Sequence, residues 1–355
     1  MDNTRRNGAL RVVNGNANPK LAADVCRYLN IPITASNVGS FANGEINVKI
    51  LESVRGDDVF VIQPTCGNGK SNVNQAVMEL VLIIHTLKLS SARRVIAVVP
   101  HYGYARQDRK HAGRVPISAS AVARMITEVG VNGVLTMDLH CGQIQGFFHG
   151  CPVSDLNPTS EFAEFAKTKN FDPSNLVVVA PDAGAVTRAR RVGDRIGASR
   201  IVTILKRRVV ANQIESMQLV GEVEGCTCVI VDDMIDTAGT LCKAAEVLKD
   251  YGAKEVHAWA THGIFTDPAC DRLTKCAALE EIVVTDSIPQ DISTKQCAKI
   301  KVISVAKLLA EAIYRLHSEE SLERVGVEKR EEDLQPVENL VEDDEDVEDN
   351  INQIE

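Results

Sequence analysis

The segment with the strongest chemical signal is VIVDDMIDTAGTL, residues 229–241. An apolar strand ends there at Asp232 and Asp233, and a helix begins after a turn of small residues. The amide N–H groups of such a turn, with the N-terminus of the helix, can bind a phosphate. Two carboxylates at the strand tip can accept hydrogen bonds from vicinal sugar hydroxyls. The pattern predicts a phosphorylated-sugar site, although each Asp could also be a turn former or a helix cap. The turn consists of Asp236, Thr237, Ala238, Gly239 and Thr240.

Two basic loops follow predicted strands. The segment 100–116, PHYGYARQDRKHAGRVP, offers Arg106 and Gln107 to a phosphate or a purine. In LKRR, Lys206 and Arg208 alternate to one side of an extended chain, where two cations could stabilise charge during phosphoryl transfer. Taken alone, either segment could be a solvated basic loop.

The segment MDLH, residues 137–140, ends another predicted strand. Asp138 and His140 are one strand period apart, which predicts that both side chains point to the same side. Beside ATP phosphates, a carboxylate and an imidazole suit a Mg²⁺ ion that keeps several of its waters. The alternative is a structural histidine at a strand end.

A possible nucleotide-binding loop, PTCGNGKS at residues 64–71, differs by one residue from the phosphate-binding pattern GxxxxGKS. Pro64 stands where the first Gly belongs. Proline fixes φ and removes an amide donor from a loop that works through amide donors. We therefore predict that this loop does not bind phosphate and that changing Lys70 has little effect.

The elements that must position these residues are short apolar strands alternating with helices. This rhythm predicts an α/β fold of parallel sheets covered on both faces, in which ligands bind at the carboxyl ends of the strands. The polar segments described above follow those ends. The two halves look alike in plan, and the turn-rich SDLNPTS, residues 154–160, fits a connection between two domains.

Composition excludes several classes of function. The chain has 355 residues and a formal net charge of −9, but residues 331–355 hold twelve acids and no Lys or Arg. The other 330 residues therefore carry 39 bases and 36 acids, a net charge of +3, which suits a polyanionic substrate. No dense basic cluster interleaved with aromatic residues indicates nucleic acid, and no apolar run of about 20 residues indicates a membrane span. Ten cysteines without metal-site spacing predict a reducing, cytoplasmic compartment.

In this order, the segments resemble the ribose-phosphate pyrophosphokinase family over about residues 9–322. The resemblance is most specific in TMDLHCGQIQGFF (136–148) and VDDMIDTAGT (231–240). Further matching segments are VNGNANPKLA (13–22), FANGEINVKILESVRGDDVFVIQP (41–64), YARQDRK (104–110), APDAGAVTRA (180–189), THGIF (261–265) and LLAEAIYRLH (308–317).

The resemblance implies an ATP- and Mg²⁺-dependent transfer of pyrophosphate to the anomeric hydroxyl of ribose 5-phosphate, which gives phosphoribosyl pyrophosphate and AMP. It implies two phosphoribosyltransferase-type domains related by pseudo-two-fold symmetry, and self-association into dimers and hexamers. The implied catalytic residues are Lys206 and Arg208. The implied ATP-binding residues are Phe41, Asn43, Glu45, Arg106, Gln107, Asp108 and His140, the first three being donated by a neighbouring subunit. The implied sugar-phosphate residues are Asp182, Asp232, Asp233, Asp236, Thr237, Ala238, Gly239 and Thr240. The implied metal residues are Asp138, His140 and Asp182.

We expect domains at 1–155 and 156–322 and an acidic, disordered tail at 323–355, with neither nucleic acid nor membrane as a partner. The closest alternative is a non-catalytic regulatory subunit of the same family. Such homologues lose the loop cations, whereas this chain keeps Lys206 and Arg208. It departs from the family at His111 and Gly113, where many members carry an acid and a serine that help to bind a regulatory phosphate or ADP. We therefore expect altered regulation by phosphate.

Overall fold

Short apolar runs form two main sheets in the computed structural model, which describes residues 8–207 and 216–326. The strands of the first sheet are all parallel and almost wholly buried where they are central. In spatial order they are β1 (Leu10–Asn14), β4 (Asp58–Ile62), β5 (Arg94–Val99), β6 (Gly133–Met137) and β7 (Val153–Leu156).

The second sheet is parallel except for one antiparallel edge pair, β9 with β10. In spatial order its strands are β10 (Ser216–Val220), β9 (Arg200–Arg207), β8 (Leu176–Ala180), β11 (Thr227–Ile235), β12 (Glu255–Gly263), β13 (Glu281–Thr285) and β14 (Ile300–Ile303). A separate antiparallel hairpin joins β2 (Ser36–Ser40) to β3 (Ile46–Ile50).

Helices cover both faces of each sheet. Apolar residues of α1 and α9 pack on one face of the first sheet, and those of α2 and α3 on the other. In the second sheet, α6 and α7 lie on one face and α4 and α5 on the other. The α/β fold with parallel sheets flanked by helices is thus confirmed; the pseudo-two-fold relation stays a prediction. The helices are α1 (Pro19–Leu29), α2 (Val73–Leu89), α3 (Ser118–Glu128), α4 (Thr159–Lys167), α5 (Val186–Ile196), α6 (Gly239–Asp250), α7 (Ala269–Lys275), α8 (Ser293–Gln296) and α9 (Ala306–His317).

Local sequence accounts for where the first helices begin. Asn18 caps α1 by accepting a hydrogen bond from the Leu21 amide, and Pro19 occupies the first helical position, where no amide donor is needed. Asn72 and Gln75 form a reciprocal capping box at the start of α2. None of the helices in the described ranges is long and apolar enough to cross a membrane.

The last helix joins the two halves of the chain. Helix α9 packs against α1 on the first sheet, although it follows the strands of the second. Asp58, at the start of β4, accepts hydrogen bonds from Arg93, Arg94 and His317, the last residue of α9. The domain limits 1–155, 156–322 and 323–355 stay predictions, and this packing indicates that α9 belongs with the first sheet.

Some elements were not predicted from the sequence. They are the β2–β3 hairpin, the edge strand β10, and β7, which occupies part of the segment 154–160 that we took for a connection. The catalytic-loop prediction falls largely outside the described residues. Lys206 is placed only by its backbone at the end of β9, and Arg208 lies outside, as does most of the predicted acidic tail, residues 327–355.

Candidate active site

A cavity of about 920 Å³ lies at the carboxyl ends of the strands, where the two halves of the chain face each other. It contains most of the predicted site residues, namely Arg106, Asp108, His140, Asp182, Asp232, Asp233, Asp236, Thr237, Ala238, Gly239 and Thr240. Arg106 Nη1 lies 2.6 Å from Asp236 Oδ2, so an ion pair joins the predicted ATP side to the predicted sugar-phosphate side.

Strand order explains why this cavity forms. In the second sheet β8 is followed by β9 on one side and β11 lies on its other side, so the chain order reverses between β8 and β11. A crevice opens at such a reversal, outside the carboxyl ends of the two strands. Asp182 follows β8, and Asp232 and Asp233 lie near the end of β11, which places all three acids around the crevice.

The turn after β11 is built to bind an anion. Ala238 has φ +60°, a left-handed conformation, and α6 begins at the next residue. Within the described ranges, the amide N–H groups of residues 237–241 have no hydrogen-bond acceptor. The helix dipole adds positive potential at the same point. Several unsatisfied donors therefore line the cavity wall where the sequence predicts the sugar 5-phosphate.

The paired carboxylates differ in their surroundings. Asp233 Oδ2 lies 2.6 Å from His140 Nδ1, and the Asp233 amide donates to Asp232 Oδ1. Burial and the neighbouring Asp233 carboxylate raise the pKa of Asp232. Burial also raises the pKa of Asp233, but the hydrogen bond with His140 and the charge of Arg188 lower it more. Asp233 is therefore the carboxylate that stays ionised, while Asp232 accepts a proton more readily.

The pKa of His140 is shifted by its hydrogen bond with Asp233. The hydrogen bond with Asp233 raises the pKa of His140, and burial lowers it by less. A carboxylate behind Nδ1 fixes the ring orientation and leaves Nε2 as the nitrogen that can face a ligand. The same arrangement supports metal-binding histidines in other proteins.

The prediction that Asp138 points to the same side as His140 is wrong. Strand β6 ends at Met137, and Asp138 takes φ +45°, so the alternation of an extended chain stops before it. Asp138 is only 6% exposed and is not among the described residues that line the cavity. Its two oxygens accept hydrogen bonds from Arg188 Nε, each at 3.0 Å, and one also accepts from Thr261. Asp138 therefore anchors Arg188.

The metal prediction rests on the remaining pair, His140 and Asp182. Asp182 Oδ1 accepts hydrogen bonds from the amides of Gly184 and Ala185, which holds the carboxylate at the cavity wall. No group of three or more His, Cys, Asp or Glu side chains in the described ranges could hold a metal ion by itself. Two protein ligands nevertheless suit Mg²⁺, which usually binds one or two side chains together with substrate phosphates and water.

The ATP side contains only part of the predicted set. Asp108 accepts a hydrogen bond from Cys141 Sγ at 3.0 Å, which ties the basic loop to the segment after His140. Gln107 lines a smaller adjoining cavity of about 380 Å³, and its side chain accepts a hydrogen bond from Ser118.

Phe41, Asn43 and Glu45 lie away from the cavity, on the turn of the β2–β3 hairpin. The Phe41 side chain is 56% exposed, and the Glu45 amide donates to the Asn43 side chain. None of the three is among the described residues that line the cavity. The hairpin thus presents an aromatic ring outward, as a residue donated to a neighbouring subunit would require.

In the loop that resembles a phosphate-binding motif, four of the seven amide donors already have acceptors within the protein. Thr65 N–H donates to His101 O, and Asn68 N–H to Ser71 O. The Asn68 side chain accepts from the amides of Lys70 and Ser71. Four amide groups of the segment 64–71 are therefore already satisfied within the protein, in agreement with the prediction that this loop does not bind phosphate.

Several cavity residues were not predicted. Arg188 lies in the first turn of α5, and Cys141 and Gln143 follow His140. Arg188 could have been found from the sequence, because it lies in the matching segment APDAGAVTRA, six residues after Asp182. Arg272, which donates to Thr237 O, lies 35 residues away along the chain and carries no sequence signal for that contact.

Two family models match the chain. One describes the N-terminal domain of ribose phosphate pyrophosphokinase and matches residues 10–130; the other describes a phosphoribosyl synthetase-associated domain and matches residues 202–325. The chain is 49% identical to a ribose-phosphate pyrophosphokinase of Ralstonia nicotianae, over 86% of this chain and 95% of the relative. It is 46% identical to one of Nitrosomonas europaea, over 90% and 99%. The crystal structure of phosphoribosylpyrophosphate synthetase from Mycobacterium smegmatis superposes with a TM-score of 0.80 at 40% identity, covering 88% of this chain and 99% of that one.

Proposed function

Because the chain belongs to the ribose-phosphate pyrophosphokinase family, we propose that it is the enzyme that transfers the β,γ-pyrophosphoryl group of ATP to ribose 5-phosphate. The anomeric hydroxyl of the sugar attacks the β-phosphorus, the bond to the α-phosphate oxygen breaks, and the hydroxyl proton is released. The products are phosphoribosyl pyrophosphate and AMP, which serve nucleotide biosynthesis.

The single observation that carries this proposal is the unsatisfied turn beside the paired acids. The donors of residues 237–241 form the cradle for the 5-phosphate, and Asp236 Oδ1 is a buried oxygen without a partner in the described structure. Asp232 and Asp233 accept hydrogen bonds from the ribose hydroxyls and hold the ring above the turn. A sugar bound this way presents its anomeric carbon to the opposite wall, which contains Arg106 and His140.

Mg²⁺ is proposed to bind between the two walls, because His140 follows β6 of the first sheet and Asp182 follows β8 of the second. His140 and Asp182 would hold the ion together with ATP phosphate oxygens, and the bound ion supplies charge neutralisation on those phosphates. The protein's own contribution is to fix both ligands: Asp233 orients the His140 ring, and two backbone amides orient Asp182. Asp138 acts indirectly, by holding Arg188 at the cavity wall.

Lys206 and Arg208 are proposed as the cations that stabilise the transferred group. Strand β9 runs parallel to β8, so its carboxyl end reaches the same sheet edge as Asp182. Positioned charge is the main requirement of phosphoryl transfer, because little covalent chemistry is left to the protein. The placement of β9 supports a role for both residues in this step.

The proposal extends to assembly and compartment. Phe41, Asn43 and Glu45 are proposed to complete the adenine site of a neighbouring subunit, which requires at least a dimer and fits hexamers. We further propose a cytoplasmic, reducing location, supported by ten cysteines that are all free thiols.

The test is an assay of the purified full chain with ATP, Mg²⁺ and ribose 5-phosphate. We expect AMP and phosphoribosyl pyrophosphate in equal amounts, and no AMP when ribose 5-phosphate is omitted. ADP as the product would instead indicate transfer of a single phosphate. A chain that binds both substrates but forms no AMP would favour the regulatory-subunit alternative, which the intact turn at residues 236–240 argues against.

A further inference from the structure

We propose that Arg272 is a positioning residue for the sugar-phosphate turn, holding the peptide between Thr237 and Ala238 in the orientation that a 5-phosphate requires. The inference rests on the proposed function, since it assigns the turn to ribose 5-phosphate. It concerns a residue outside the cavity wall, on the neighbouring helix α7.

The contact is direct and specific. Arg272 Nη1 donates to the Thr237 carbonyl oxygen at 2.9 Å. The same nitrogen would lie 3.4 Å from a Cβ built on Gly239, so the guanidinium packs closely against the turn. Helix α7 is held in place because Ala269 and Leu273 are fully buried in the core that also contains α6 residues.

This bond determines which way the peptide faces. In a planar trans peptide the carbonyl and the following N–H point in opposite directions. Because the Thr237 carbonyl points to Arg272, the Ala238 N–H points away from Arg272, toward the cavity side of the turn. If the peptide turned over, a carbonyl oxygen would replace an amide donor opposite the phosphate and repel it.

The turn needs such a restraint. Ala238 adopts φ +60°, which is unfavourable for a residue with a Cβ and persists only where surrounding contacts hold it. Within the described residues, α6 has no side-chain hydrogen bond at its N-cap. The Arg272 bond is the side-chain contact that fixes the peptide just before this residue.

Arg272 also keeps its charge available to the turn. Asp271, the adjacent acid, lies 2.7 Å from Lys275 Nζ and forms an ion pair with it. A guanidinium remains protonated throughout the accessible pH range. The positive charge behind the turn therefore adds to the helix dipole and favours a dianionic phosphate over a neutral sugar.

The experiment compares Arg272→Ala and Arg272→Lys with the wild-type full chain in the AMP-forming assay. For Arg272→Ala we expect KM for ribose 5-phosphate to rise about tenfold, which corresponds to about 1.4 kcal/mol, while KM for ATP changes less than twofold. Arg272→Lys retains a charge and a donor, so its KM should rise no more than about threefold. The matched control is Lys295→Ala, an exposed cation on the neighbouring helix α8 that lines neither cavity, for which we expect no change in either KM.

A second readout does not depend on turnover. Ribose 5-phosphate should raise the thermal unfolding midpoint of the wild type and of Lys295→Ala, and raise that of Arg272→Ala much less at the same concentration. A folded Arg272→Ala variant with an unchanged KM for ribose 5-phosphate would overturn the proposal, and so would equal rises in both KM values without rescue by Lys. A wild type that forms no AMP refutes the proposed function instead, and its thermal shift with ribose 5-phosphate still tests Arg272.

Discussion

Replacing Asp233 with Asn should separate the charge of this carboxylate from its shape. The side chain is 4% exposed, and its Oδ2 lies 2.6 Å from His140 Nδ1. Asparagine can keep an oxygen toward the histidine, so the hydrogen bond can survive as a neutral one. What is lost is the negative charge that strengthens the bond, orients the ring and attracts the sugar hydroxyls.

The size of the effect follows from the two kinds of hydrogen bond. A hydrogen bond to a charged group contributes about 1.5 to 3 kcal/mol, and a neutral one about 0.5 to 1.5 kcal/mol. Replacing a charged hydrogen bond with a neutral one costs about 1 to 1.5 kcal/mol, so the change at His140 and at one sugar hydroxyl together costs about 2 to 3 kcal/mol. At about 1.4 kcal/mol for each factor of ten, kcat/KM should fall roughly 30- to 150-fold.

The assay is AMP formation at saturating ATP with ribose 5-phosphate varied. Asp286→Asn is the matched control, because this carboxyl is half-buried just after a strand, accepts a hydrogen bond from the Val305 amide, and is not among the described residues that line the cavity. We expect it to change kcat/KM by less than threefold. A folded Asp233→Asn enzyme that keeps more than one third of the wild-type kcat/KM would refute the role assigned to the Asp233–His140 pair.

Four further predictions follow from the same structure and sequence. Lys206→Ala and Arg208→Ala should each lower kcat at least tenfold and raise KM far less in steady-state assays, and near-normal turnover would count against their assignment. Lys70→Ala should leave kcat and both KM values within twofold, whereas a loss of activity would favour a nucleotide-binding role for this loop. Asp58→Asn should lower the unfolding free energy in urea by about 2 to 3 kcal/mol at pH 7. Burial raises the pKa of Asp58, but the bonds from Arg94 and Arg93 lower it more, so the folded pKa lies below the unfolded pKa of about 4. The stabilisation by ionised Asp58 is therefore present above the unfolded pKa and is lost as pH falls through the folded pKa. The difference in unfolding free energy between wild type and variant should shrink in acid. Titration with inorganic phosphate should change the wild-type activity little, and strong activation would contradict the expectation of altered regulation.

Sequence reasoning located the site because strand ends and turns are local features. Small residues mark the turn at 236–240, which was predictable, whereas the strand before it continues to Ile235 instead of ending at Asp232 and Asp233. The direction of Asp138 was not predictable, because it depends on one backbone angle after β6 that lets the carboxylate meet Arg188, 50 residues away. Alternation along a strand holds only while the strand continues.

Contacts between residues far apart in the sequence could not be predicted from the sequence pattern either. Helix α9 reads as an ordinary amphipathic helix, and its place beside α1 depends on packing between segments nearly 290 residues apart. The β2–β3 hairpin is half-exposed and mixed in composition, so it lacks the continuous apolar run that marked the central strands. Its strands were missed, whereas Phe41 and Glu45 were predicted through the family resemblance alone.

Two loops in this chain show what an anion site requires beyond a motif. Each follows a buried strand and precedes a helix, and the segment 64–71 is nearer in sequence to a known phosphate-binding pattern than residues 236–240 are. In the first loop the side chain of Asn68 accepts two amide bonds and backbone carbonyls accept two more, so four of the seven amide donors are satisfied without a ligand. In the second, Arg272 engages a carbonyl oxygen and leaves the amides of 237–241 unsatisfied. Buried or half-buried donors without partners are costly, and a bound phosphate removes that cost. The proportion of amide donors left without an acceptor, rather than the residue pattern, therefore distinguishes the turn at 236–240 from the segment 64–71.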